Sequence, residues 1–213
     1  MKKKIAIIGA GGFGRELKGL IDDVNKEKDT YDFIGFFDDT KVENSFYGFP
    51  VLGGVDEINH IEEPICLVLG IGDPEVKKKI IEKINNSFVE FPVLIHPSAQ
   101  VGGDAVLINE GSVVTAGCVI TCNVIIERFV TLNLMCTVGH DTTIKSFCSF
   151  MPSVNISGEV LISENVYVGT GAKIINQLEI GKNTIVGAGA VVSKSLPENC
   201  TAVGVPAKPI KFH

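Results

Sequence analysis

From Ile108 onward the chain repeats every six residues. Ile108, Val114, Ile120, Ile126, Leu132, Val138, Ile144, Phe150, Ile156, Ile162, Val168, Ile174, Ile180, Val186 and Val192 are fifteen positions, and all fifteen are apolar. Four residues beyond each stand Ser112, Cys118, Val124, Val130, Cys136, Thr142, Cys148, Val154, Val160, Val166, Ala172, Leu178, Thr184, Ala190 and Leu196, and thirteen of these are Ser, Thr, Ala, Val or Cys. The residue directly after the large apolar one is Gly or polar in all but two hexads, which have Met151 and Ile175. Six is not a helical period, but it is three strand periods of two. A solenoid whose sides are short strands satisfies it. Each hexad supplies one side, three hexads close a triangular coil, and coils stack by strand pairing at ~4.8 Å. Fifteen hexads give five coils, a prism about 24 Å tall on that spacing. The large and small residues are expected to point inward, and the Gly or polar residue to turn the corner.

Residues 1–95 follow a different grammar, alternating strand and helix signals. Lys4 to Ile8, Tyr31 to Phe37, Ile65 to Leu69 and Val93 to Ile95 read as strands. Phe13, Leu17, Leu20, Ile21 and Val24 carry helical spacing, and Pro74 to Ile84 reads as a second helix that opens on proline. Such alternation implies a parallel sheet with helices on its faces. The expected architecture is therefore a small Rossmann-like α/β domain over 1–95 followed by an all-β parallel solenoid over 96–213.

Gly9-Ala-Gly11-Gly12-Phe13-Gly14 follows the first strand and opens the first helix, the context in which a GxGxxG run binds phosphate. Asp38 ends the next strand, 24 residues after Gly14, where an acid would meet a ribose. Gly72, after the third strand, falls on the same sheet edge. A nicotinamide dehydrogenase is the rival reading of this domain taken alone. Against it, about 95 residues make roughly half a full dinucleotide-binding sheet.

The repeat half holds little that reacts, apart from the run Val-Gly-His-Asp at 138–141. The register puts His140 two residues past Val138, at an outward-facing corner. It is the only histidine between His96 and His213, so a three-histidine metal site cannot be assembled and no metal is expected. Acid–base chemistry is the sharper reading, with Asp141 placed to orient the imidazole.

Taken together, the opening IIGAGGFGRE, the GFFDD, GIGD, IHPSA and GHD stretches and the ending VGAGAVVSKSLPENCTAVGVPAKPIK resemble the hexapeptide-repeat sugar acetyltransferases. These include the sialic-acid O-acetyltransferases and the enzymes that acetylate the 4-amino group of nucleotide-linked amino sugars. The resemblance implies a left-handed parallel β-helix, an exception to the right-handed crossover rule. It implies homotrimers with acetyl-CoA bound between adjacent β-helices, and a general base at His140 with Asp141 beside it. It places acetyl-CoA contacts on Thr170, Gly187 and Ala188. Ser149 stands where the family often has a second histidine; a serine can hydrogen-bond the acetyl group or CoA but carries no proton at neutral pH. The nucleotide of the sugar falls to Gly11, Gly12, Phe13, Asp38, Asp39 and Gly72, with Phe13 replacing a usual histidine. Oxyanion donors would be backbone N–H groups of a neighbouring coil. N-acetylation of a nucleotide-linked amino sugar is the leading expectation. O-acetylation of a sialic acid or other sugar hydroxyl, and a non-catalytic nucleotide-binding trimer, are the alternatives.

Composition narrows the partners. A net charge of −6, with no basic run longer than three residues, argues against nucleic acid or an anionic membrane. The six cysteines form no CxxC pair and read as free thiols in a reducing compartment. The apolar run after the basic start is only Ile5 to Ile8, too short for a signal peptide or a span, so a cytoplasmic protein is expected.

Overall fold

The structure, a computed structural model, describes residues 2–40 and 45–213. The chain divides into two compact units, Met1–Pro97 and Ser98–His213.

In the first unit a parallel sheet forms from β1 (Lys3–Ile8), β2 (Tyr31–Phe37), β4 (Phe49–Gly53), β5 (Ile65–Leu69) and β6 (Val89–Glu90). A short antiparallel strand, β3 (Ser45–Phe46), pairs with β4 at the edge, giving the order β3-β4-β2-β1-β5-β6. Ile5 to Ile8 and all of β5 are buried, as the continuous apolar runs of central parallel strands require. Helix α1 (Gly12–Glu27) buries Leu17, Leu20 and Ile21, the stripe its spacing predicts. Helix α2 (Pro74–Lys83) begins on Pro74 with Asp73 as its cap, the carboxylate accepting from the Val76 N–H at 3.0 Å. The β3–β4 hairpin and a 3-10 turn at Asp56–His60 are absent from the sequence reading. Their segments are short and their patterns irregular, so periodicity gives them no signal. Leu94–Ile95 forms a two-residue strand outside this sheet.

The second unit is the solenoid. From Val113 to Val192 its strands are two residues long and pair in parallel with partners eighteen residues away: Val113 with Thr131, Thr131 with Ser149, Ser149 with Tyr167, Tyr167 with Ile185. The unit closes on two longer strands, Cys200–Val203 and Lys208–Phe212, paired antiparallel. The other two sides follow the same step, through Thr137 and Asn155 and through Thr143 and Leu161. Every large apolar position from Val114 to Val192 is at most 3% exposed, while Ile108, in the first hexad, is half-buried. The small row is buried too, except for the half-buried Leu178, and its polar members have a second task. Ser112 Oγ donates to the Glu127 carbonyl at 2.8 Å, Thr184 Oγ1 to Pro197 at 2.7 Å and Cys148 Sγ to Ser163 at 3.0 Å. Each satisfies a carbonyl that the turn of the next corner leaves without a strand partner. Ser, Thr and Cys at these places are therefore core residues with a hydrogen-bonding duty.

One expectation about the corners needs correction. The residue after the large apolar one does not make the turn. The left-handed backbone conformation falls two residues later, recurring every six residues at Ala105, Gly111, Gly117, Asn123, Phe129, Met135, Asp141, Phe147, Ser153, Glu159, Asn165, Gly171, Gln177, Asn183 and Gly189. Glycine after the large residue answers a different demand, close approach between coils. A Cβ on Gly139 would lie 2.6 Å from the Gly158 nitrogen, and one on Gly169 2.6 Å from the Ala188 nitrogen.

Candidate active site

His140 occupies the corner between strands Thr137–Val138 and Thr143–Ile144. Its side chain is 55% exposed, so the outward orientation expected from the register holds. Three contacts fix it. Its carbonyl accepts from the Glu159 N–H at 2.8 Å, tying the residue to the next coil. Nδ1 lies 2.6 Å from Oδ2 of Asp141. The ring also rests against Gly158, where a Cβ would lie 2.5 Å from Nε2 and 2.6 Å from Cε1.

Asp141 sits at the left-handed corner position, φ 57°, which Asp and Asn tolerate better than most residues. Its N–H donates to the Cys122 carbonyl one coil back, and its Oδ1 accepts from the Asn123 side-chain amide. The Asn123 amide, and after it His140, hold the Asp141 carboxyl below the usual carboxylate range. An ionised carboxylate has no proton to give, so the Asp141 contact makes Nδ1 the donor and leaves the Nε2 lone pair free. That is the tautomer a general base needs.

The remaining predicted residues of the repeat half lie elsewhere on the prism. Ser149 is on a strand face, fully buried, and its hydroxyl has no hydrogen-bond partner among the described residues. Thr170 and Ala188 are exposed at another corner, between Tyr167–Val168 and Lys173–Ile174 and its equivalent one coil on. Packing alone explains Gly187, whose Cβ would lie 2.7 Å from Val203 Cγ1. It does not explain Gly171 or Gly189, beside which a side chain would meet nothing. Their left-handed φ of 72° and 66° is nevertheless the corner conformation. This corner carries no bulk, which suits a thin pantetheine arm lying along it. Within one chain it stands on a different edge from His140.

In the first unit the glycines separate in the same way. Gly9 (φ 98°) and Gly14 are structural, since a Cβ on Gly14 would lie 2.0 Å from the Gly9 carbonyl oxygen. Gly11 and Gly12 meet nothing, so the fold makes no steric demand for glycine there, and open space above a helix N-terminus suits an approaching phosphate. Gly11 caps α1 without a side-chain hydrogen bond, and Phe13 is half-buried in its first turn. Asp38 is committed to the loop itself: Oδ2 accepts from the Ala10 N–H at 2.7 Å, and Oδ1 from the Thr40 N–H and hydroxyl. Asp39 Oδ1 accepts from the Val55 N–H at 2.7 Å. Gly72 lies three residues past β5, in the segment where Gly70 and Ile71 pack against Gly9.

Among the described residues no group of three or more His, Cys, Asp or Glu is arranged to hold a metal ion, and no helix is long and apolar enough to cross a membrane. All six cysteines are free, five of them buried and Cys122 exposed.

A parallel β-solenoid with a charged, outward-facing His-Asp corner defines a hexapeptide-type transferase, and comparison with known proteins agrees. Residues 4–84 match the PglD N-terminal domain and residues 159–194 the bacterial transferase hexapeptide, six repeats. The chain is 31% identical over 212 residues to GDP-perosamine N-acetyltransferase of Escherichia coli O157:H7, covering 96% of this chain and 95% of that one. The acetyltransferase domain of PglB from Neisseria gonorrhoeae, solved with acetyl coenzyme A, superposes with a TM-score of 0.89 at 32% identity, over 99% of this chain and all of that one. PerB from Caulobacter crescentus, solved with CoA and GDP-perosamine, gives 0.86 at 30% identity over 98% and 97%. The chain belongs to the hexapeptide-repeat sugar acetyltransferases, and its solenoid is their left-handed β-helix. Serine acetyltransferase of Buchnera aphidicola is 37% identical over only 121 residues, 57% of this chain and 41% of that one.

Proposed function

We propose that this protein transfers an acetyl group from acetyl-CoA to the amino group of a nucleotide-linked amino sugar, with His140 as the general base. The observation that carries the reading is the 2.6 Å contact between His140 Nδ1 and Asp141 Oδ2 on an exposed corner, a contact that makes Nδ1 the donor and gives Nε2 the role of base. Nε2 accepts the proton of the attacking amine as nitrogen bonds to the thioester carbonyl. The imidazolium then gives that proton to the leaving thiolate, so charge balances over the cycle. Asp141 stays ionised throughout and offsets the imidazolium. A base of this kind is worth about 10²–10⁴ in rate.

The first unit supplies the reason to favour an amino sugar on a nucleotide. Gly11 and Gly12 open the α1 N-terminus to a diphosphate, and Asp38 braces that loop through Ala10. The likeness to serine acetyltransferase covers little more than the repeat half, whereas the likeness to GDP-perosamine N-acetyltransferase runs through both units. Acceptor choice therefore resides largely in the first unit. The separation of His140 from Thr170, Gly171, Ala188 and Gly189 on different edges of one prism argues for a homotrimer, in which one chain's base meets a neighbour's acetyl-CoA corner. Six free thiols fit a reducing compartment and a cytoplasmic reaction.

The test is CoA release with a panel of GDP-, UDP- and dTDP-linked amino sugars, together with the linkage in the product. An alkali-stable amide on a nucleotide-linked sugar supports the reading. An alkali-labile ester, or no CoA release from any member, refutes it.

A further inference from the structure

We propose that Asn123 is a positioning residue for the acetyl transfer, setting the tautomer and direction of the His140 imidazole through Asp141. The proposal rests on the assignment of His140 as the base.

Asn123 stands eighteen residues before Asp141, at the same corner one coil back, and shares its left-handed conformation, φ 52° against 57°. That shared twist aims both side chains along the edge of the prism. The Asn123 Nδ2 group donates to Oδ1 of Asp141, while Oδ2 of the same carboxylate faces His140 Nδ1 at 2.6 Å. One oxygen of the carboxylate is thus used to aim the other. Asp141 is exposed, with 47% of its side chain accessible, so no packing around it replaces this constraint. Without the amide the carboxylate turns freely about its last torsion, a broad one for an sp² terminus, and the imidazole loses the partner that fixes its tautomer.

Side-chain bonding between corners is a general device of this solenoid. Gln177 Nε2 donates to Glu159 Oε2 at 3.2 Å further along the same edge, and Asn165, Asn183 and Asn199 form a ladder on another. Those ladders join surface side chains of successive coils. The Asn123–Asp141 bond continues into an imidazole, which converts a scaffold feature into a constraint on the reacting group.

The discriminating variant is Asn123→Gly, because glycine adopts a φ of 52° freely and removes the amide without straining the corner. Asn123→Asp is the isosteric companion, replacing the donor with a second carboxylate that repels Asp141. For Asn123→Gly we expect kcat to fall about two- to tenfold, the range of one ordinary solvent-exposed hydrogen bond, with both KM values unchanged. Asn123→Asp should lose at least as much. In protein labelled with ¹⁵N-histidine, the His140 signals, assigned by their loss in His140→Ala, should show a protonated Nδ1 in the native chain and a mixture of neutral tautomers in Asn123→Gly. An unchanged tautomer overturns the proposal even if kcat falls, since the loss would then have another origin. An unchanged kcat overturns it even if the tautomer moves. Full activity in Asn123→Gly alongside an inactive His140→Ala removes Asn123 alone, whereas an active His140→Ala removes the base assignment beneath it.

Discussion

Gly158 offers a test whose size can be worked from the structure. The imidazole of His140 rests on its α-carbon, and an added Cβ would lie 2.5 Å from Nε2, 2.6 Å from Cε1 and 2.9 Å from Cδ2. Ordinary contact between such atoms is about 3.5–4.0 Å, so Gly158→Ala pushes the ring outward by about 1 Å. A misplacement of that size at a reacting group costs about 10²-fold in rate, or ~2.7 kcal/mol of barrier. The fold should not suffer. Gly158 is not among the left-handed residues, and the atoms a methyl meets first belong to a surface side chain that can move. Relief of unfolded-state entropy favours alanine by about 0.4–1 kcal/mol, so the melting temperature should hold or rise. Steady-state CoA release at saturating acetyl-CoA and amino sugar reads the effect as a fall in kcat. A variant with kcat within twofold of native would refute the reasoning, since the base would then work equally well from a displaced position.

Other consequences follow from the same geometry. Asp141, held below the usual carboxylate range by the Asn123 amide and then by His140, should stay ionised as pH falls into that range, and its carboxyl carbon signal in an NMR titration should move only below it. A carboxyl that titrates at or above the ordinary range would contradict those contacts. Asp38→Ala should raise KM for the nucleotide sugar several-fold and leave KM for acetyl-CoA unchanged, because it frees the Ala10 N–H and loosens the glycine loop. Equal effects on both KM values would argue against a nucleotide site there. Ile162→Asp places an unpaired charge in the fully buried interior of the prism and should prevent folding, judged by circular dichroism and solubility. A soluble, cooperatively melting variant would mean that the solenoid register is wrong.

The period of six carried most of the fold, because each inward position must be apolar in every coil and the signal accumulates over fifteen hexads. His140 was legible for the complementary reason: an imidazole at an outward corner stands out where the interior is uniform. The corner conformation was not legible. Its left-handed residue is Asn, Asp or Gly at some corners but Phe at 129 and 147 and Met at 135, so no residue type marks it. Asn123 and Gly158 escaped notice because their tie to His140 runs across coils. Counting eighteen residues in either direction from Asp141 and His140 would have found both. In the first unit, sequence singled out the glycines and the two aspartates as one group. The coordinates divide them into Gly9 and Gly14, required by the turn, Gly11 and Gly12, where an added side chain would meet nothing, and Asp38 and Asp39, which brace neighbouring backbone.

Turnover by His140→Ala bears most directly on the whole account, measured with acetyl-CoA and the accepted amino sugar both saturating and with acetyl-CoA binding followed by calorimetry. The account predicts a loss of at least about a hundredfold in kcat with the affinity for acetyl-CoA preserved. Turnover near the native rate would contradict it, whatever else the site binds.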